Sequence, residues 1–170
     1  MKRLLVVAHA PSPNTQRLLD ALLAGARAAD FAGTVAVTCL PALQAGPDDI
    51  RACDAIVLFT TENLGYMSGA LKDFFDRCYY PVLEEKQGLP CAIMIRAGHD
   101  GTGTRRALES ILTGLRWKIA AEPLVLRIFQ TEVESEMAAH AAEVKLERAE
   151  DIDEHPVYGT AAIAAATREV

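Results

Sequence analysis

Aromatic residues, positive charge and long apolar runs are all scarce in this sequence, and each shortage excludes a class of protein. Aromatic residues make up only 6% of the 170 residues while 51% are hydrophobic, which disfavours an aromatic-rich β-fold and favours helices packed on a sheet. A net charge of -6 provides no basic surface for nucleic acid or anionic membranes. No run is long enough to span a membrane, and the apolar start is too short for a signal sequence.

The cysteines and histidines do not form the pattern of a disulfide framework or of a metal site. Cys39, Cys53, Cys78 and Cys91 are scattered beside apolar residues with no C-x-x-C pair, which indicates reduced core thiols. The four histidines have no ligand spacing with one another or with the cysteines, so no metal is predicted. A single cytoplasmic domain over residues 1–170 is expected.

Apolar runs alternate with helical patterns along most of the chain. Strands are predicted at residues 3–8, 34–40 and 55–59 and in the segments GLPCAIMIRAG and EPLVLRIF. Because strands that alternate with helices pair in parallel through right-handed crossovers, the expected fold class is a doubly wound α/β sheet. The tail from about residue 132 is expected to be helical around residues 137–148 and peripheral.

Three polar loops follow predicted strands, and they should meet at one edge of the sheet. They are the first loop, residues 9–15, the second loop, residues 60–66, and the third loop, residues 97–103. In an open parallel sheet, ligands bind outside the carboxyl ends of the strands. In the first loop, Ser12, Asn14 and Thr15 at a helix N-terminus could hold a phosphate, although ordinary helix capping explains the same residues. No G-x-x-x-x-G-K-[ST] occurs, so a P-loop is excluded.

The second loop and its helix, TTENLGYMSGALKDFFDR, carry a family resemblance. This segment resembles the second flavin-binding loop of the flavodoxin-like NAD(P)H-dependent FMN reductases and the WrbA-like quinone reductases. AHAPSPNT resembles their phosphate loop and RAGHDGTGT their third loop, so the resemblance covers about residues 2–127. It implies a flavodoxin-like, five-stranded parallel sheet of order 2-1-3-4-5 with helices on both faces.

The resemblance also implies a set of FMN-binding residues. The FMN phosphate would be held by Ser12, Asn14 and Thr15. Backbone groups bordering the isoalloxazine would come from Thr61, Glu62, Asn63, Leu64 and Gly65, and its far edge would be lined by Gly98, His99 and Gly103. The remaining residues expected in these loops are His9, Thr60, Tyr66 and Ala97. Thr61 stands where the family usually has proline. Ser68 or the turn at Gly65 is expected to begin the following helix.

The activity implied by the resemblance is hydride transfer from NAD(P)H through FMN to a small acceptor such as a quinone, a flavin or a nitro or azo compound. Since the flavin does the chemistry, no catalytic side chain is required. Arg105 and Arg106 could attract the anionic nicotinamide cofactor, and the family is usually dimeric or tetrameric, with YYPVL as a candidate contact. Two alternatives stay open: a flavodoxin-type electron carrier, and a flavin-free flavodoxin-like module that binds a partner.

Overall fold

The structure, a computed structural model, describes residues 1–28 and 33–127. The strands of this part of the chain are β1 (Lys2–Ala8), β2 (Val35–Pro41), β3 (Ala55–Asn63), β4 (Tyr66–Met67), β5 (Pro90–Ala97), β6 (Lys118–Ile119) and β7 (Leu124–Arg127). The helices are α1 (Pro13–Ala26), α2 (Pro47–Ala52), α3 (Gly69–Val82) and α4 (Thr102–Gly114). The helical tail predicted from about residue 132 lies outside the described residues.

The strands form one sheet in the order β2-β1-β3-β5-β6, in which these five strands pair in parallel. The predicted doubly wound sheet is therefore confirmed, with one refinement at its fifth position. There β6 pairs with the beginning of β5 at Pro90 and Cys91, and β7 pairs with its end from Met94 to Ala97. Pro123, which has no N–H for the ladder, lies between the two pieces and helps to explain the interruption.

Alternate residues of the buried strands serve two cores, one on each face of the sheet. On one face α1 covers Val6, Phe59 and Met94, and on the other α2, α3 and α4 cover Val7, Leu58 and Ile95. A side chain near the carboxyl end of a strand can therefore be assigned to a face by its position in this alternation. The two faces are called the α1 face and the α3 face below.

The structure corrects the sequence interpretation at the second loop. It was expected to be a loop over residues 60–66, but β3 continues to Asn63 and turns back as β4 in a two-residue hairpin. Leu64 (φ 54°) and Gly65 (φ 74°) are both left-handed, as a type I′ turn requires. Ser68 then caps α3 by accepting a hydrogen bond from the N–H of Leu71 (3.2 Å), which confirms the predicted helix start.

The cysteines have the environment that their apolar neighbours predicted. All four are free thiols in the described residues, three of them buried and Cys39 half-buried. Burial raises the pKa of Cys53 and Cys78 to about 11 and that of Cys91 to about 12, so these thiols stay protonated at neutral pH. Over residues 1–28 and 33–127, no helix has the length and apolarity needed to cross a bilayer.

Candidate ligand site at the carboxyl edge

The structure brings the three predicted loops together at the carboxyl edge of the parallel strands. The first loop is tied to β3 because the N–H of His9 donates to the carbonyl of Phe59 (2.9 Å). The β3–β4 hairpin, which replaces the expected second loop, approaches the third loop through Glu62 and Gly65. This edge is where open α/β sheets bind ligands.

Glu62 links the hairpin to the third loop. Its side chain is only 8% exposed, and its two carboxylate oxygens accept hydrogen bonds from the N–H groups of His99 (2.7 Å) and Gly101 (3.2 Å). These amides satisfy a buried carboxylate that would otherwise be costly, and the carboxylate in turn fixes a loop that has no regular structure. Glu62 therefore acts as a clamp through its side chain, in addition to any backbone role.

Gly103 makes the second contact between the hairpin and the third loop. A Cβ placed on Gly103 would lie 2.1 Å from the backbone oxygen of Gly65, so only glycine allows this approach. Gly101, with a φ of 73°, precedes α4 as its N-cap, and a Cβ there would lie 2.5 Å from Cγ1 of Val125 in β7. The third loop is thus packed between the hairpin and the last described strand.

The first loop has the hydrogen bonding of a helix cap. The N–H of Ser12 donates to Oγ1 of Thr15 (2.9 Å), the N–H of Thr15 donates to Oγ of Ser12 (3.3 Å), and the two hydroxyl oxygens are 3.0 Å apart. Asn14 is half-buried beside them, while Pro11 and Pro13 provide no N–H. The capping interpretation therefore accounts for the Ser12 and Thr15 hydroxyls, and any anion here needs donors from elsewhere.

Two of the predicted site residues are buried in the sheet next to the ligand edge. The Thr60 side chain is fully buried on the α3 face, where its hydroxyl donates to Oγ of Ser68 (3.1 Å) and accepts from the Ser68 N–H (3.1 Å). Ala97 is also fully buried at the end of β5. Asn63 and Tyr66 pair with each other across the hairpin, which leaves Leu64 and Gly65 as its free turn.

Several predicted site residues in the third loop and at the hairpin tip are exposed to solvent. Gly98 and His99 are exposed, and Nδ1 of His99 lies 3.6 Å from a carboxylate oxygen of Asp100. That carboxylate accepts a hydrogen bond from the N–H of Thr102 (2.8 Å), which lowers the pKa of Asp100. Leu64 is fully exposed and Tyr66 partly so, so the hairpin presents apolar surface beside the site.

Leu64 is strained at this tip, and relieving the strain gives a prediction. A non-glycine residue in the left-handed region costs about 1–2 kcal/mol, and asparagine tolerates that region better than leucine. Leu64→Asn should therefore raise the free energy of unfolding, measured by urea denaturation, by about 0.5–1 kcal/mol. An unchanged or lower stability would show that the leucine side chain contributes contacts that outweigh the strain.

A pocket of about 240 Å³ opens next to the first loop. Its walls are mainly alanine and proline side chains from the first loop, the end of β2 and the start of α3, with His9, Gln16 and Cys39 as its polar members. Burial lowers the pKa of His9, so the imidazole is neutral at neutral pH. The pocket lining thus contains no charged side chain.

The sequence interpretation missed Arg96, which sits near the end of β5 beside Thr61 in the sheet register. Its signal in the sequence is one cation inside the apolar run PCAIMIRA.

Arg105, which was expected to attract a nicotinamide cofactor, binds carboxylate oxygens of Glu109 (2.7 Å) and Glu122 (2.5 Å). Arg106 is exposed on α4. Within the described ranges, no three His, Cys, Asp or Glu side chains are grouped to hold a metal ion.

A parallel sheet of this order, with its polar loops at the carboxyl edge and helices on both faces, defines a flavodoxin-like α/β protein. The model of the NADPH-dependent FMN reductase family matches residues 37–132, which is more than half of the chain. The chain belongs to this family.

Solved structures resemble the chain at low sequence identity. A flavodoxin, WrbA-like protein from Agrobacterium tumefaciens gives a TM-score of 0.66 at 15% identity, with 100% of both chains covered. Oxidised flavodoxin 2 from Bacillus cereus gives 0.66 at 16% identity, with 99% of both chains covered. An oxidoreductase from Corynebacterium diphtheriae gives 0.62 at 16% identity, with 100% of this chain and 99% of that chain covered. At these identities the likeness shows the fold alone. No curated protein matches the chain significantly.

Proposed function

We propose that the protein is an FMN-binding oxidoreductase that takes hydride from NAD(P)H and passes reducing equivalents to a small acceptor such as a quinone, a flavin or a nitro or azo compound. The observation that carries the proposal is the Glu62 clamp, which holds the hairpin and the third loop together at the ligand edge of a chain in the FMN reductase family. A fixed edge of this kind is what a cofactor with one required orientation needs.

The chemistry of the edge fits FMN. Both carboxylate oxygens of Glu62 already accept a hydrogen bond from a backbone amide, so its negative charge is partly compensated before any ligand binds. Gly98 leaves open space around its Cα, with only the Arg96 side chain within 4 Å of a Cβ placed there. The hydroxyl of Thr61 and Nε of Arg96 are buried donors without partners in the described residues, and FMN is rich in acceptor oxygens.

Each part of the edge would have a separate task toward FMN. The start of α1, with Ser12, Asn14 and Thr15, would lie near the phosphate, and the hairpin turn at Leu64 and Gly65 would border the ring. Gly98, His99 and Gly103 would lie along the opposite side of the ring. When bound, FMN supplies the chemistry of accepting and donating hydride, and this chain's residues orient it and limit the access of water.

The test is reconstitution followed by reduction. The purified chain is mixed with FMN, freed of excess by gel filtration, and measured by visible absorption. Stoichiometric retention of the flavin spectrum is expected, and anaerobic mixing with NADPH or NADH should then bleach it. A retained flavin that neither cofactor reduces would favour an electron carrier, and a colourless protein would favour a flavin-free binding module.

We also propose that the protein works in the cytoplasm as a homodimer or homotetramer, with residues 1–170 forming one domain. In the candidate contact YYPVL, Tyr80 is a large side chain that is mostly exposed on α3, which supports a role in association, whereas Val82 is buried in the core. Sedimentation analysis of the wild-type chain would contradict this proposal if it gave a monomer at all concentrations.

A further inference from the structure

We propose that Arg96 and Thr61 form a phosphate-binding site on the α1 face of the sheet, at its carboxyl edge. The site rests on the proposed function for the source of the phosphate, which would be either FMN or the 2′-phosphate of NADPH. Thr61 comes from β3 and Arg96 from β5. The helix that covers this face of the sheet is α1, which follows the first loop.

The register of the sheet places the two side chains next to each other. Thr61 of β3 and Arg96 of β5 are partners in the parallel ladder, so they project from the same face. Phe59 and Met94, two residues before them on the same strands, belong to the core under α1. The alternation of the strands therefore puts Thr61 and Arg96 on the α1 face, opposite to the Thr60 hydroxyl that binds Ser68.

Both side chains have a buried donor with no acceptor. Thr61 is 5% exposed, and its hydroxyl makes no hydrogen bond in the described part of the chain. Nε of Arg96 is also buried and unpaired there, whereas Arg51, Arg77 and Arg105 each bind a carboxylate. A buried donor left unpaired destabilises the fold, so a pair of them at a ligand edge marks a place where a ligand supplies the acceptor.

The Arg96 side chain extends toward the ligand edge. A Cβ placed on Gly98 would lie 3.7 Å from Nη1 of Arg96, so the guanidinium lies beside the third loop. The N-terminus of α1, with its partial positive charge, is on the same face and at the same edge. The Ser12 and Thr15 hydroxyls are taken by the cap, so Arg96 and Thr61 supply the donors that the first loop lacks.

Phosphate is the ligand chemistry that fits these donors. A guanidinium presents a planar fork of N–H groups that matches two phosphate oxygens, and a neighbouring hydroxyl can donate to a third. None of the ion pairs in the described residues includes Arg96, so its charge is available to a ligand.

The experiment compares ligands with and without phosphate on matched variants. Arg96→Gln removes the charge and keeps a donor, Thr61→Val removes the hydroxyl and keeps the shape, and Arg116→Gln, after α4 and away from the carboxyl edge, removes an exposed charge as the control. For the wild type and each variant, dissociation constants are measured for FMN and riboflavin by flavin fluorescence, and for 2′,5′-ADP by calorimetry. Circular dichroism and thermal melts establish that each variant is folded, and Arg96→Lys repeats the test with the charge retained but the fork lost.

Arg96→Gln should weaken the binding of FMN or of 2′,5′-ADP by about tenfold and Thr61→Val by about threefold, with riboflavin affinity unchanged. A loss confined to FMN identifies the flavin phosphate as the ligand, and a loss confined to 2′,5′-ADP identifies the nicotinamide cofactor. Equal losses for FMN and riboflavin, or no loss for either phosphate ligand, would overturn the inference. If the wild-type chain binds no flavin, the proposed function fails, and 2′,5′-ADP still tests the site by itself.

Discussion

Gly103→Ala should separate the β3–β4 hairpin from the start of α4 and greatly weaken flavin binding. The added methyl group would lie 2.1 Å from the backbone oxygen of Gly65, and a backbone atom cannot rotate away as the end of a side chain can. Overpacking of this kind costs about 1–3 kcal/mol of unfolding free energy, measured by urea denaturation. FMN retention after gel filtration should also fall, because the hairpin and the start of α4, which both border the site, would move.

Gly69→Ala is the matched control for this prediction. Gly69 is the first residue of α3, close in sequence to the same hairpin, and a Cβ placed there meets no atom within 4 Å. Since alanine favours a helix over glycine, this variant should be as stable as the wild type or more stable. Wild-type stability and wild-type FMN retention in Gly103→Ala would show that the hairpin and α4 are not in contact.

Glu62→Gln should loosen the third loop even though glutamine has nearly the same shape. One amide oxygen can still accept from either His99 or Gly101, but the NH₂ group then faces the other N–H, donor against donor. A loss of about 1–3 kcal/mol is expected in urea denaturation, since a buried N–H loses its acceptor. Glu62→Ala leaves both amides without an acceptor and should lower the free energy of unfolding further.

The control for Glu62 is Glu84→Gln, a change of the same chemistry at an exposed position after α3. It should leave stability and flavin affinity unaltered. Hydrogen exchange followed at the His99 and Gly101 amides gives the most direct readout, because these two should exchange faster in Glu62→Gln than in the wild type. Slow exchange of both amides in that variant would mean that the loop is held by other contacts.

The sequence predicted the parts of this fold that depend on local patterns. The first strand, the Ser12 cap followed by Pro13, and the apolar face of α1 are each visible within a few residues, and the structure agrees with all three. The β3–β4 hairpin was missed because a type I′ turn favours Asn-Gly or Gly-Gly, and this chain has Leu64-Gly65 instead. The meeting of the three loops at the carboxyl edge could be predicted because it depends only on topology, and the ligand site there stays a prediction.

The contacts that assemble the site join residues far apart in the chain, and no local pattern reveals them. Glu62 meets the His99 amide 37 positions later. The guanidinium of Arg77 on α3 donates to the carbonyls of Ala45 (2.7 Å) and Ala42 (2.8 Å), more than 30 positions earlier, and fixes the segment after β2. Arg96 was overlooked for the same reason, since only the register of β3 and β5 puts it beside Thr61.

The divided fifth position of the sheet has a consequence for how molecules of this protein meet one another. In the described residues, that position is filled by two residues of β6 and four of β7, with Pro123 between them. A continuous outer strand would offer a long row of N–H and C=O groups on which another chain could extend the sheet. The two short, separated strands of residues 118–127 offer no such row, so this part of the sheet is poorly suited to the strand addition that leads to aggregation.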